Sequence, residues 1–132
     1  MKDKASSAST GTKPLLSSKR RFQVWLYTVS HGQLLLRANP DASSGERIEV
    51  LFKGVEWFQI PTMLDGLTVI EDTTNAAIAS VSSLTPANLS SNTAFRLEGL
   101  NYRGVVVCAA AFVNIDSRSY SEPSAFANSL PS

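Results

Sequence analysis

The sequence predicts a mainly β protein of about seven mostly antiparallel strands, arranged as a small barrel or as two packed sheets. Short runs of β-branched and aromatic residues recur between residues 22 and 115, and turn-forming residues separate most of them. Helical and strand patterns do not alternate, which argues against a parallel α/β sheet. A single domain accommodates the 132 residues, because domains typically hold roughly 100–200 residues.

The first predicted element is a β-hairpin. Residues 22–29 carry apolar side chains on both faces, as expected of a strand that is covered on both sides. The Ser-His-Gly sequence at 30–32 predicts a tight turn, since Gly32 can adopt a positive φ without steric cost. Residues 33–37 then form the second strand of the hairpin.

The next predicted strand shows the cleanest alternation in the chain. Residues 39–45 are dense in turn-forming residues and predict a loop. Residues 47–53 follow, with Glu49 and Lys53 pointing outward. The inward row consists of three apolar side chains: Ile48, Val50 and Phe52.

Two further strands are predicted before residue 71. Residues 55–60 form one of them, and Gly54 is either a bulge or the turn that leads into it. Pro61 lacks the amide hydrogen that a central strand needs, so this strand ends there or lies at a sheet edge. The Asp-Gly pair at 65–66 predicts a turn before a short strand at 67–70.

The last third of the body contains one irregular segment and two strands. Residues 71–93 predict a mobile excursion with at most one short helix, at 76–81. Residues 94–98 alternate as a strand, and the glycines that bound 99–104 predict a turn. Residues 105–115 are apolar on both faces and predict one long central strand.

Composition divides the chain into three parts. Residues 1–19 are polar and predict a flexible basic leader, 20–116 form the single β domain, and 117–132 form a C-terminal tail that can dock on the domain. The tail carries three residues suited to docking: Tyr120, Phe126 and Leu130. The first 21 residues have a net charge of +5 and the remainder −4, so a basic tail precedes a mildly acidic body.

The sequence argues against several kinds of chemical site. The one cysteine, Cys108, cannot form an internal disulfide, and its apolar neighbours predict a buried, unreactive thiol. One histidine and one cysteine cannot build a zinc site together, and neither an EF-hand loop nor a glycine-rich phosphate loop occurs. We therefore expect no metal and no cofactor.

Location and nucleic-acid binding follow from charge and hydropathy. No apolar signal region follows the N-terminal lysines, and the longest apolar run, 105–113, is far shorter than the ~20 residues of a membrane helix. We expect a cytoplasmic protein without a membrane partner. The basic run at 19–21 precedes strand aromatics, but the acidic body opposes a phosphate backbone, so we do not expect a nucleic-acid partner.

Five side chains are candidates for ligand binding. Four aromatic residues in the first half of the body could line an apolar pocket if the strands close into a barrel, and the single histidine lies in the predicted hairpin turn. The candidates are Trp25, Tyr27, His31, Phe52 and Trp57. No catalytic residue is assigned, because no nucleophile elbow or complete triad pattern is present.

Three functional hypotheses remain open. The leading one is a non-catalytic binding module that pairs with a protein partner, or with copies of itself, through sheet edges and tails. The second is a small barrel that holds an apolar small molecule. The third is an enzyme with a dispersed site around His31 and carboxylates such as Asp65 or Asp116.

Overall fold

The protein is mainly β, as predicted. A computed structural model of the chain describes residues 13–73 and 93–127, which contain eight strands. They are β1 (Leu16–Thr28), β2 (Gln33–Ala38), β3 (Arg47–Lys53), β4 (Trp57–Gln59), β5 (Met63–Asp72), β6 (Thr93–Gly99), β7 (Tyr102–Cys108) and β8 (Ala110–Asp116). The predicted helix at 76–81 and most of the predicted excursion lie outside the described residues.

All strands belong to one antiparallel sheet with the order β4-β7-β6-β5-β1-β2-β3-β8. The sheet is not closed into a barrel, since β4 lies at one end of this order and β8 at the other. Every pair of neighbours is antiparallel. In the part of the chain that the structure describes, no helix is long and apolar enough to cross a membrane.

The sheet curls because two long chain segments bend, and each segment contributes one strand near either end of the sheet order. β3 and β4 follow each other in the chain, as do β7 and β8, and β3 pairs with β8 while β4 pairs with β7. The bends lie at Gly54 (φ 67°) and Ala109, whose amide donates to the carbonyl of Lys53 at 2.9 Å. The single strand predicted at 105–115 is therefore two strands, because the chain turns the corner at Ala109.

The core lies on the inner face of this curl. Fourteen buried residues from six strands form it, with alternate residues of each strand contributing. They are Phe22, Leu34, Leu36, Ala38, Ile48, Val50, Phe52, Leu64, Leu67, Val69, Phe95, Leu97, Val106 and Cys108. Burial raises the pKa of the Cys108 thiol to about 12, which keeps it protonated at neutral pH.

Two strand boundaries differ from those that composition predicted. β1 begins at Leu16, so residues 16–18 pair with β5, although the sequence assigned them to the leader. β5 runs through the Asp-Gly pair at 65–66, where a turn was predicted. Gly66 has a φ of 78°, and the register of β1 against β5 shifts between Ser18 and Arg21. The extra residue lies in β1, so Gly66 stands opposite a β-bulge of the neighbouring strand and does not form a turn.

The corner at Gly54 predicts a position-specific effect of alanine. A Cβ at Gly54 would meet the Cβ of Ala109 at 2.9 Å and would force a non-glycine residue into the left-handed region. We expect Gly54→Ala to lower the free energy of unfolding by about 1–3 kcal/mol, measured by urea denaturation. Gly45 has no atom within 4 Å of such a Cβ and serves as the control. Equal stability losses in Gly54→Ala and Gly45→Ala would contradict this account.

The buried thiol predicts a difference in reactivity between the folded and unfolded states. Because alkylation requires the thiolate, Cys108 should resist iodoacetamide at about pH 8 and react at once in denaturant. The raised pKa also means that the unfolded chain loses this proton first. Stability from this group is therefore complete below the ordinary thiol pKa of 9.0 and falls as pH rises towards 12. Rapid labelling of the folded protein, followed by mass spectrometry, would show that the thiol is not buried.

Candidate functional site

The five predicted ligand residues do not converge on one pocket. Phe52 is fully buried, with its ring centroid 5.9 Å from that of Phe95 in the core. Tyr27 packs against Phe58 of β4, with ring centroids 5.1 Å apart. Trp57 lies half-buried on the short strand β4. The aromatic residues therefore belong to separate surroundings.

Trp25 lies on the outer face of the sheet, away from Phe52. The register of β1 against β2 shifts between Val24 and Leu26, so Trp25 is the extra residue of a bulge. Its indole ring covers the guanidinium of Arg37, whose central carbon is 4.1 Å from the ring centroid. A cation–π contact of this kind contributes about 0.5–2 kcal/mol and leaves one side of the indole exposed.

His31 lies in the exposed β1–β2 turn, as predicted. Its Nδ1 is 3.0 Å from the hydroxyl of the adjacent Ser30. The two carboxylates considered with it are engaged by arginines, because Asp65 pairs with Arg21 at 2.6 Å and Asp116 lies 3.5 Å from Arg47. The described residues therefore do not assemble a base with an orienting acid around this imidazole.

A buried charge cluster, formed by Arg37, Arg47 and Glu49, lies on the outer face of β2 and β3. Arg37 and Glu49 stand directly opposite each other in register, and Arg47 precedes Glu49 by two residues on the same face. The Nε and Nη2 atoms of Arg37 lie 3.0 and 2.8 Å from Glu49 Oε2, and Arg47 Nη2 lies 3.8 Å from Oε1. All three residues are at most 2% exposed.

The C-terminal segment, residues 117–127, covers this cluster. Arg47 donates from Nη1 to the carbonyls of Ser119 and Glu122, and from Nη2 to that of Pro123, at 2.8–3.0 Å. Arg37 Nη1 donates to a further carbonyl, that of Tyr120. Because this segment forms no strand or helix with neighbours, the arginines satisfy backbone carbonyls that a sheet ladder would otherwise satisfy.

Glu49 binds the same segment from the acceptor side. The Ser124 hydroxyl and the Ala125 amide both donate to Glu49 Oε1, at 2.9 and 3.0 Å. The carboxylate therefore accepts hydrogen bonds from two adjacent residues that lie 75 and 76 positions farther along the chain, in addition to its contacts with Arg37. Charge-assisted bonds of this type are roughly twice as strong as neutral ones.

Burial sets the electrostatics of the cluster. Desolvation lowers the pKa of the Arg37 guanidinium, while its hydrogen bond to Glu49 and the charge of that carboxylate oppose the shift. Two arginines thus share one buried carboxylate, and Asp116 supplies a second negative charge at the rim of the cluster. Removal of the Glu49 charge would leave the two desolvated cations with Asp116, 3.5 Å from Arg47, as the nearest remaining carboxylate.

An open cleft of about 330 Å³ lies between the C-terminal segment and the hairpin. It is lined by Trp25 and Leu26 of β1, by Leu35 and Arg37 of β2, and by residues 120–124. The described residues contain no group of three or more His, Cys, Asp or Glu placed to hold a metal ion. The cleft therefore offers aromatic and aliphatic surface rather than a set of ligating atoms.

The edge strand β8 is the second exposed feature of this half of the sheet. It pairs only with β3 among the described strands, over all seven residues from Ala110 to Asp116. Its sequence is uncharged until Asp116, and Phe112 and Ile115 are about half exposed. The opposite end strand, β4, has three residues and is followed closely by Pro61. A long apolar edge strand of this kind is one that proteins usually protect.

Sequence reasoning placed Glu49 on the outward face but missed its burial. Alternation in β3 fixes the face of each side chain, yet it does not reveal that residues 117–127 fold back over that face. The sequence signal for the buried charge cluster was a pair of opposite charges two residues apart, Arg47 and Glu49, with Asp116 far along the chain. This pattern is also common on solvated strands, so it did not indicate burial. The hydrogen bonds from Arg37 and Arg47 to backbone carbonyls could not be predicted from the sequence, because any residue supplies such a carbonyl.

Comparisons with known proteins give this chain no relative. No protein-family model, no curated protein and no solved structure matches it.

The buried charge cluster predicts a large effect of neutralising Glu49. Breaking a buried ion pair by removing one partner typically costs about 3–5 kcal/mol. We expect Glu49→Gln to lower the free energy of unfolding by about that amount, measured by urea denaturation with tryptophan fluorescence. The matched control is Glu98→Gln, since Glu98 forms an exposed pair with Arg96 at 3.7 Å and such pairs contribute about 0–1 kcal/mol. A loss at position 49 no larger than that at position 98 would show that the cluster does not stabilise the fold.

Proposed function

We propose that this chain is a non-catalytic protein-interaction module, and that β8 binds an extended polypeptide segment as an added strand. The observation that carries the proposal is the free edge of β8, which offers seven residues of backbone with no neighbour on one side among the described strands. Unpaired N–H and C=O groups along an edge form a template for another strand, and main-chain hydrogen bonds supply much of the affinity.

The side chains of β8 suit this mode of binding. Phe112 projects from the outer face, beside Leu51, and Ile115 from the inner face, beside Ile48. An added strand would cover apolar side chains on both faces of the sheet at once. The ammonium group of Lys53 lies 5.9 Å from the Phe112 ring centroid, so a cation stands near one end of the edge and Asp116 at the other.

The cleft beside Trp25 supplies a second, smaller contact area for the same function. Half-exposed aromatic residues such as Trp25 and Tyr120 are enriched where proteins bind one another. Residues 120–124, which line the cleft, belong to the C-terminal segment that covers the buried charge cluster. We regard β8 as the primary site because the backbone groups on one of its two sides have no partner strand among the described residues.

The other two hypotheses receive less support. A pocket for an apolar small molecule required the aromatic residues to line a common cavity, whereas Phe52 is in the core and Trp25 on the outer face. A site around His31 required carboxylates that are instead paired with arginines. Neither hypothesis gains a specific observation.

Charges placed on the edge test the proposed function. Lysine on edge strands is a device by which proteins prevent strand addition. We expect a tagged Phe112→Lys, Ile115→Lys double variant to lose the chains that the wild-type protein retains from extract of its own source, compared by quantitative mass spectrometry. Val29→Lys is the control, since Val29 is 81% exposed in the hairpin turn and lies away from the edge.

Two outcomes decide this test. Retention of the same chains by the wild type and by Val29→Lys, with loss in the double variant, supports strand addition at β8. Retention that is unchanged in the double variant would place the binding surface elsewhere. Urea denaturation of both variants serves as the check that each is folded.

A further inference from the structure

We propose that the segment bound by β8 is β8 of a second copy of this chain, an inference that rests on the proposed function and names the partner at that site. The two strands would run antiparallel about a two-fold axis through Val113, the central residue of Ala110–Asp116. In this register every residue of β8 pairs with a residue of the second β8. A shift of two residues to a register centred on Phe112 would leave Ile115 and Asp116 unpaired.

The inner row of side chains is complementary in size in this register. Val113 stands opposite Val113 of the second copy, and Ala111 stands opposite Ile115 on either side of the axis. Each Ile115, which is 50% exposed in the single chain, thus faces a small residue that leaves room for it. Directly opposed residues of antiparallel strands lie about 4.5–5.5 Å apart at Cβ, within contact distance for these side chains.

The outer row is complementary in polarity. Phe112 stands opposite Asn114 of the second copy, so the exposed ring is not placed against a charge. Ala110 stands opposite Asp116 of the second copy, and Lys53 is the residue paired with Ala110 on its other side. The small Ala110 leaves the long side chain of Lys53 a path across it to that carboxylate, which also lies 3.5 Å from Arg47 and 3.7 Å from Arg118 of its own chain. This attraction would occur twice, once at each end of the paired strands.

The symmetry of this contact limits assembly to a dimer. The same surface serves both copies, which makes the interface isologous and closes it after two subunits. In the dimer each β8 covers the other. The unpaired strand edge, which would allow uncontrolled strand addition to a single chain, is therefore removed. The outer faces of both sheets stay on one side, where the two C-terminal segments remain accessible.

A cysteine at the symmetry axis tests the register directly. Val113→Cys places one thiol directly opposite its own copy, at a Cβ separation of about 4.5–5.5 Å, which meets the upper end of the range that a disulfide spans. The native thiol of Cys108 is buried and does not compete. We expect Val113→Cys to form a disulfide-linked dimer under mild oxidation, and Ile115→Lys in the same chain to suppress it. Val29→Cys, exposed in the β1–β2 turn and outside β8, controls for random collision.

The unmodified full chain provides the second measurement. Analytical ultracentrifugation should show a reversible monomer–dimer equilibrium in the wild type that shifts towards monomer in Ile115→Lys. A wild type that stays monomeric at the highest attainable concentration would overturn the proposal, as would Val113→Cys cross-linking no faster than Val29→Cys. The capture experiment distinguishes failure of the dimer from failure of strand addition. If no dimer forms but a foreign chain is retained by the wild type and lost in the double variant, strand addition at β8 stands and the dimer does not. If no such chain is retained either, both proposals are wrong.

Discussion

Glu49 is the residue on which the arrangement of this surface depends. Its carboxylate lies fully buried on the outer face of the sheet and accepts bonds from Arg37 on one strand and from the C-terminal segment on the other side. The same carboxylate balances two guanidinium groups that together hold four backbone carbonyls of that segment. A segment without regular secondary structure is thereby fixed to a strand about 75 residues earlier in the chain.

This anchoring also determines what is left exposed. The C-terminal segment leaves β8 at Asp116 and folds back over β2 and β3, so it covers the face of the sheet and not its edge. The corner at Gly54 and Ala109 has the complementary effect, because it turns the long segments so that β4 and β8 end the sheet. Charge burial and backbone geometry together leave one side of β8 without a neighbouring strand among the described residues.

The sequence predicted the elements better than their relations. Alternation located β3 to the residue, and turn chemistry located the hairpin around Gly32, because both signals are local. The Asp-Gly pair at 65–66 was misread because a positive φ serves a bulge as well as a turn. The break at Ala109 was missed because an apolar run carries no mark of a bend that tertiary pairing imposes. The candidate site was beyond prediction for the same reason: the burial of Glu49 and the freedom of the β8 edge both depend on long-range pairing, while local pattern led only to the dispersed aromatic residues.

Residue-resolved hydrogen exchange by NMR on the full chain tests the central claim, that the C-terminal segment is anchored and the β8 edge is open. We expect slow exchange at the Ala125 amide, which is bonded to Glu49, at every protein concentration. We also expect the β8 amides directed away from β3 to exchange rapidly in dilute solution and to become protected as the concentration rises. Protection of those β8 amides that is independent of concentration would show that the same chain already covers the edge, and would contradict the account.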